Sequence, residues 1–286
     1  MDILVVGIAG PVFDWVRQGI RAASGLPVVS VTDPGLLASD PAAPSARLCW
    51  TNNLTPALST AVREGRLRVI ATFDPADEFC VRLGPVKGPR AAAAALYAMG
   101  DLHGQSGVMQ ADRDSAPANI LAHCGLADAQ FPELDTSASP DPDLAALLAP
   151  ALVFARRGER LTQVWPRSVL LDGDHPDQPL PRVISLTGPA RNLAYGPYIG
   201  FSPGRARLSV VLAVAPTCRH AEMAIELHGS APIARGLFLL TQPGIFAAEI
   251  DVVIPSAREA LEIRLKSERG AIEGEIGVDH VKLIPN

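Results

Sequence analysis

Two glycines near the start of the chain occupy a place where phosphate chemistry is often done. Gly7-Ile8-Ala9-Gly10-Pro11 follows the short apolar run Ile3–Val6. Pro11 then suits the first turn of a helix that carries Phe13, Val16 and Ile20 on one face. A strand, a glycine turn and a helix start together aim backbone N–H groups at an anion. The turn lacks the Gly-Lys-Ser/Thr ending of a nucleotide-binding loop and the third glycine of a dinucleotide fingerprint. Gly7 and Gly10 therefore read as a vestigial phosphate loop or as a tight turn with no ligand. Hydrolytic chemistry has no better footing, because there is no Gly-x-Ser-x-Gly elbow. The six histidines are scattered, and none is paired at metal-ligand spacing. His103-Gly104-Gln105-Ser106-Gly107 reads as a polar glycine-rich loop, and His123 beside Cys124 as a core histidine. No catalytic residue is assigned, and whether the chain is an enzyme stays open, with the balance toward a non-catalytic protein.

The second group of interest lies farther on. Trp165, Tyr195 and Tyr198 are three of only six Trp and Tyr residues, and they fall close together. Arg191 and Asn192 lie just before the tyrosines, in the loop that begins Gly188-Pro189. Flat aromatic rings stack on the apolar faces of sugars, while Arg, Asn and carboxylates exchange hydrogen bonds with hydroxyls. Trp165, Arg191, Asn192, Tyr195 and Tyr198 are thus the candidate carbohydrate-binding residues. The other reading packs the tyrosines on a sandwich rim and places Trp165 at a domain junction. Asp172-Gly173-Asp174-His175-Pro176-Asp177 is an acidic turn nearby.

The elements that would position these groups change character near residue 160. Before it, strands and helices alternate: Ile3–Val6, Val28–Val31 and Leu67–Phe73 as strands; helices from Pro11, from Thr55 to Glu64, from Asp74, from Arg90 to Met99, and from Ala116 to Cys124. This rhythm predicts an α/β layer with a mostly parallel sheet. Residues 132–143 have the composition of a loop, Asp143–Ala149 that of a short helix, and Ala151–Ala155 continues it or forms a last strand. After Trp165 short apolar runs recur between turns such as Ser202-Pro203-Gly204 and Gln242-Pro243-Gly244. Eight or nine strands are expected there, in an all-β jelly-roll sandwich. Leu261, Ile263 and Leu265 alternate with Glu262 and Arg264, which predicts one wet face. The domains are therefore expected at 1–160 (α/β) and 165–286 (β-sandwich).

Two resemblances refine the reading. The strand-Gly-xx-Gly-helix at residues 3–20 and the α/β order to about residue 155 resemble, weakly, the sulfotransferase-like branch of P-loop folds. That family binds its sulfonate donor with a cation and hydroxyls, where this chain has Ala9 to Phe13, so the resemblance implies a degenerate loop. The closing segment Gly274-Glu275-Ile276-Gly277-Val278-Asp279-His280-Val281-Lys282-Leu283 and the Ser202-Pro203-Gly204 turn resemble carbohydrate-binding jelly rolls, over about 120 residues. Such domains often hold a structural calcium between the first loop and the last strand. The resemblance implies Asp172 or Asp174 with Asp279 as oxygen ligands, against the alternative of a solvated turn. No other cofactor is expected.

Bulk properties bound the partners. A net charge of −5 argues against nucleic acid, and 48% hydrophobic residues allow a real core. Cys49, Cys80, Cys124 and Cys218 are far apart, as expected of free thiols in a reducing compartment. The N-terminus reads as a buried strand and not a signal peptide, and no run approaches a membrane span. Cytoplasmic synthesis is expected. A glycan binder of that kind reaches its ligand if it rides on a particle released by lysis, as capsid decorations and head spikes of phages and gene transfer agents do. The expected function is therefore a carbohydrate-binding protein, in that setting a spike or fibre attaching to host capsule polysaccharide beside other subunits. The alternatives are a divergent sulfotransferase-like or glycan-modifying transferase, and an architectural protein.

Overall fold

A computed structural model of the chain describes residues 2–26, 28–30, 47–51, 54–74, 77–126, 130–134, 141–218 and 220–286. The chain divides into two compact units, Met1–Glu159 and Arg160–Asn286.

The first unit is a parallel sheet with helices. Its strands are β1 (Asp2–Gly7), β2 (Val28–Ser30), β3 (Leu48–Thr51), β4 (Leu67–Thr72) and β5 (Val108–Ala111), in spatial order β2-β3-β1-β4-β5. Every neighbouring pair is parallel. Central strand β1 is a continuous apolar run, as expected of a strand covered on both faces. The helices are α1 (Pro11–Ser24), α2 (Pro56–Arg63), α3 (Asp77–Met99), α4 (Pro117–Cys124) and α5 (Pro142–Arg157). Sequence periodicity missed β3 and β5. It also split α3 into two helices, since Gly84, Pro85, Gly88 and Pro89 read as breakers. Ala151–Ala155 belongs to α5. Val31, at the end of the expected second strand, and residues 135–140 of the expected loop lie outside the described residues.

Helix α1 shows how this unit is locked. It buries Val12, Phe13, Trp15, Val16 and Ile20 against Ile3, Val5 and Ile70 of the sheet. Trp15 donates its indole N–H to the carbonyl of Pro132 at 2.8 Å and packs edge-on against Phe131, with ring centroids 5.0 Å apart. At its start, the backbone N–H groups of Val12 and Phe13 donate to the two carboxylate oxygens of Asp74, at 2.6 and 2.8 Å. Asp74 lies just after β4, beside the end of β1. The outer ends of strands in such sheets are where ligands usually bind. Here a carboxylate of the chain itself takes the anion's place at the helix N-terminus.

This accounts for the two glycines. A Cβ on Gly10 would fall 2.7 Å from Asp74 Cγ, and one on Gly7 would fall 2.0 Å from Thr72 Oγ1. Both positions are small because β4 and its carboxylate approach closely. The residue that the sequence offered as a helix start, Asp74, caps a different helix 61 residues away. Burial pushes the Asp74 carboxyl up to about 6, against the pull of the two amide hydrogen bonds and of Arg113, with Asp14 adding to the rise.

The second unit is a two-sheet antiparallel sandwich. Its strands are β6 (Gln163–Pro166), β7 (Leu171–Asp172), β8 (Ile184–Ser185), β9 (Arg191–Ile199), β10 (Gly204–Val214), β11 (Ala221–His228), β12 (Pro232–Leu240), β13 (Gly244–Ile254), β14 (Leu261–Ser267) and β15 (Glu275–Pro285). One sheet runs β13-β10-β15-β6, with β8 also on β15; the other runs β12-β11-β14-β9-β7. Inward residues alternate along the central strands: Leu208, Val210 and Leu212 on β10, Val281 and Leu283 on β15, Ile225 and Leu227 on β11, Ile263 and Leu265 on β14. The fold is the expected one, an α/β unit with a parallel sheet followed by a jelly-roll sandwich. Among the described residues, no helix is long and apolar enough to cross a membrane.

Two outcomes follow for the first unit. Unfolded aspartate titrates near 3.9, so the folded state takes up a proton first as pH falls. Asp74 therefore makes the unit more stable as pH drops from about 6 to about 4, by on the order of 2 kcal/mol. In urea melts between pH 7.5 and 4.5, the stability of wild type relative to Asp74→Asn should grow as pH falls; a pH-independent difference would exclude this role. Gly7→Ala should cost about 1–3 kcal/mol by forcing β1 and β4 apart, read from the same melts, and an unchanged midpoint would contradict it.

Candidate functional site

Asp74 fills the turn at Gly7 and Gly10, and the other residues singled out by the sequence lie in the second unit. The structure sorts the residues expected there into three groups.

Trp165 is set apart first. It lies on β6, across from Val281, and is fully buried, with no ring face for a ligand. Its aromatic character raised an expectation of ligand stacking, but an inward position on an alternating strand makes it core instead. The acidic turn is the second group. Asp174 is held by Arg191 through both carboxylate oxygens, at 2.7 and 3.1 Å. Asp172 accepts the Asp174 amide at 2.9 Å and pairs with His175 Nδ1 at 2.8 Å. Partial burial works against ionisation of Asp172, yet the hydrogen bonds from His175 and the Asp174 amide hold it below the usual carboxylate range. Asp279 is exposed on β15 of the other sheet and meets the ring of its neighbour His280 at 2.7 Å. Among the described residues, no group of three or more His, Cys, Asp or Glu side chains is placed to hold a metal. Asp174 is taken up by Arg191 and Asp279 by His280, so the carboxylates expected to hold calcium are engaged by other side chains. Asp174 instead anchors Arg191, whose Nη2 also donates to the Ser185 carbonyl at 2.8 Å.

The third group stays together. Arg191 and Asn192 belong to strand β9 and not to a loop, and Tyr195 and Tyr198 follow on the same strand. Their rings meet edge to face, with centroids 6.4 Å apart and planes at 77°. An ordinary strand would turn residues three apart to opposite faces. One irregularity in the β9–β14 pairing removes that obstacle. Ile199 faces Leu261 while Pro197 faces Glu262, which leaves Tyr198 as an extra residue. Its φ of 63° is in the left-handed region, where a tyrosine is strained by about 1 kcal/mol or more. A second irregularity lies between Leu265 and Lys266. The Tyr195 hydroxyl accepts the Asp177 amide at 3.1 Å, which fixes its ring from the acidic turn.

The registers place these tyrosines at one side of a polar platform on the outer face of the β12-β11-β14-β9-β7 sheet. One row across four strands reads Arg235, Glu226, Arg264, Tyr195. The row beside it reads Leu237, Ala224, Lys266, Asn192, and the one on the other side places His228, Glu262 and Pro197. At about 4.8 Å between strands, a row extends about 14 Å, long enough for two or three sugar rings. Glu226 ties the platform together. Its carboxylate is met by His228 Nε2 at 3.1 Å, by Lys266 Nζ at 3.3 Å and by Arg235 Nε at 3.3 Å. Partial burial opposes its ionisation, but the contacts with His228 and Lys266 outweigh this and hold its pKa low. Glu262 grips Arg264 with both oxygens, at 3.1 and 2.9 Å, and this pairing raises the Arg264 pKa. Sequence reasoning found the tyrosines and the wet face of β14. It missed Glu226, His228 and Arg235, because only the register of β11 and β12 against β14 brings them beside Arg264 and Lys266.

No family model matches the chain, and no curated protein matches it. Solved structures with partial similarity include the CBM36-1 domain of a multidomain xylanase from the hindgut metagenome of Trinervitermes trinervoides (12% identity, TM-score 0.32, 44% of this chain and 98% of that one). A carbohydrate-binding module of Cellvibrio mixtus lichenase 5A, in complex with cellotriose, gives 10% identity and a TM-score of 0.29 over 45% of this chain and 99% of that one. A gluconokinase from Sinorhizobium meliloti 1021 gives 17% identity and a TM-score of 0.33 over 43% of this chain and 87% of that one. At such scores no argument rests on these neighbours.

Proposed function

We propose that the chain is a non-catalytic carbohydrate-binding protein whose ligand lies on the outer face of the β12-β11-β14-β9-β7 sheet. The observation that carries the reading is Tyr198. A strained backbone brings its ring against Tyr195 at the border of a hydrogen-bonding platform, and strain of this kind clusters at ligand sites. Rings at the border supply stacking surface, and the platform supplies donors for hydroxyls. The transferase reading needs a donor site, and Asp74 already occupies both amides that would cradle an anion. In this proposal the first unit serves as scaffold.

The setting we favour is a spike or fibre of a virus-like particle, a phage or a gene transfer agent, that attaches to host capsule polysaccharide. Support comes from the four cysteines, all buried and free, which fit folding in a reducing compartment before release by lysis.

The test compares binding of the full chain to capsule-bearing and capsule-free cells, and to a glycan array. Tyr195→Ala with Tyr198→Ala should weaken glycan binding roughly tenfold or more, and unchanged binding would remove the site. Tyr198→Gly separates fold from function. It relaxes the positive φ, so the melting temperature should hold or rise while affinity falls. A fall in both would make Tyr198 a packing residue only.

A further inference from the structure

We infer that the platform on this sheet selects acidic polysaccharide, an assignment that rests on the carbohydrate-binding reading of the same face. Glu226 and Glu262 meet Arg264, Lys266 and Arg235 on the platform, and the two signs differ in depth. The carboxylate side chains of Glu226 and Glu262 are each only 13% exposed, whereas Arg264, Lys266 and Arg235 are 37%, 32% and 50% exposed. The acids form the floor and the cations stand above them.

Hydrogen-bonding capacity is divided in the same way. The Glu226 carboxylate already meets three partners, and both oxygens of Glu262 are taken by Arg264. A carboxylate offers about four acceptor sites, so little acceptor capacity faces outward. Arg264 commits Nε and Nη2 to Glu262, and Arg235 commits Nε to Glu226 and Nη2 to Glu268. Lys266 gives one of its three N–H donors to Glu226. What remains for a ligand is mainly donor, and cationic. Exposed Asn192 lies across from Lys266 and extends the donor row toward the tyrosines. A neutral sugar hydroxyl donates as readily as it accepts, so a face with saturated acceptors serves it poorly. A uronate carboxylate or a sulfate ester accepts only, and it meets Arg side chains with charge-assisted hydrogen bonds. Because these ion pairs are half-exposed, sharing a cation with an incoming anion costs little.

The experiment uses the full chain with polygalacturonate, alginate and hyaluronan, each beside its carboxyl-reduced, neutral counterpart, and with neutral dextran and galactan. Calorimetric titration should show at least one acidic polymer bound about tenfold or more tighter than its reduced form. The preference should shrink in 0.5 M salt on the order expected from screening. It should disappear in Arg264→Gln with Lys266→Gln and persist in Arg264→Lys with Lys266→Arg, which keep the charge and control for folding. Equal binding of acidic and reduced polymers, or binding of the neutral polymers alone, overturns the selectivity and leaves the carbohydrate site standing. No binding to any of these polymers or to the glycan array overturns both.

Discussion

The antiparallel pairing of β9 with β14 is the contact on which the candidate site depends. It has to do two things that conflict in a regular ladder. It must keep Leu261, Ile263 and Leu265 pointed into the core, and it must bring Tyr195 and Tyr198 to one place. Strict alternation allows the first and forbids the second. The irregularity at Leu261/Glu262, which leaves Tyr198 as an extra residue, reconciles them. The cost is concentrated at Tyr198, in a left-handed conformation that glycine or asparagine would take more easily. A residue retained where the backbone disfavours it is better explained by its ring than by its packing alone.

The rest of the platform is built on ordinary alternation. Glu226 and His228 on β11 and Glu262, Arg264 and Lys266 on β14 alternate with buried residues along their strands, and Arg235 pairs with Glu226 from β12, just before the register shift at Leu227/His228. Neighbouring opposite charges across strands each contribute a few tenths of a kcal/mol. Together they hold long side chains in fixed places, which lowers the entropy lost when a ligand is bound.

Much of this architecture could be read from the sequence, and the limits have physical reasons. The turn residues and short apolar runs after Trp165 revealed the sandwich, because strand spacing is a local property. The tyrosines were found because large aromatics are scarce in this chain. Trp165 was misplaced for the same reason: composition says that an aromatic exists but not which way it faces. The partners of the expected calcium ligands were not legible. Asp174 finds Arg191, 17 residues on, and Asp279 lies on the other sheet, neither of which spacing can tell. β3 and β5 escaped because strands of four residues are too short to show a period.

Asp74 has a consequence beyond capping one helix. A phosphate-binding turn ordinarily draws part of its order from its ligand, so the stability of its domain tracks ligand concentration. Here the accepting group is covalently part of the chain and cannot diffuse away. The start of α1 is thus satisfied from within the unit, by a side chain that the fold itself places there.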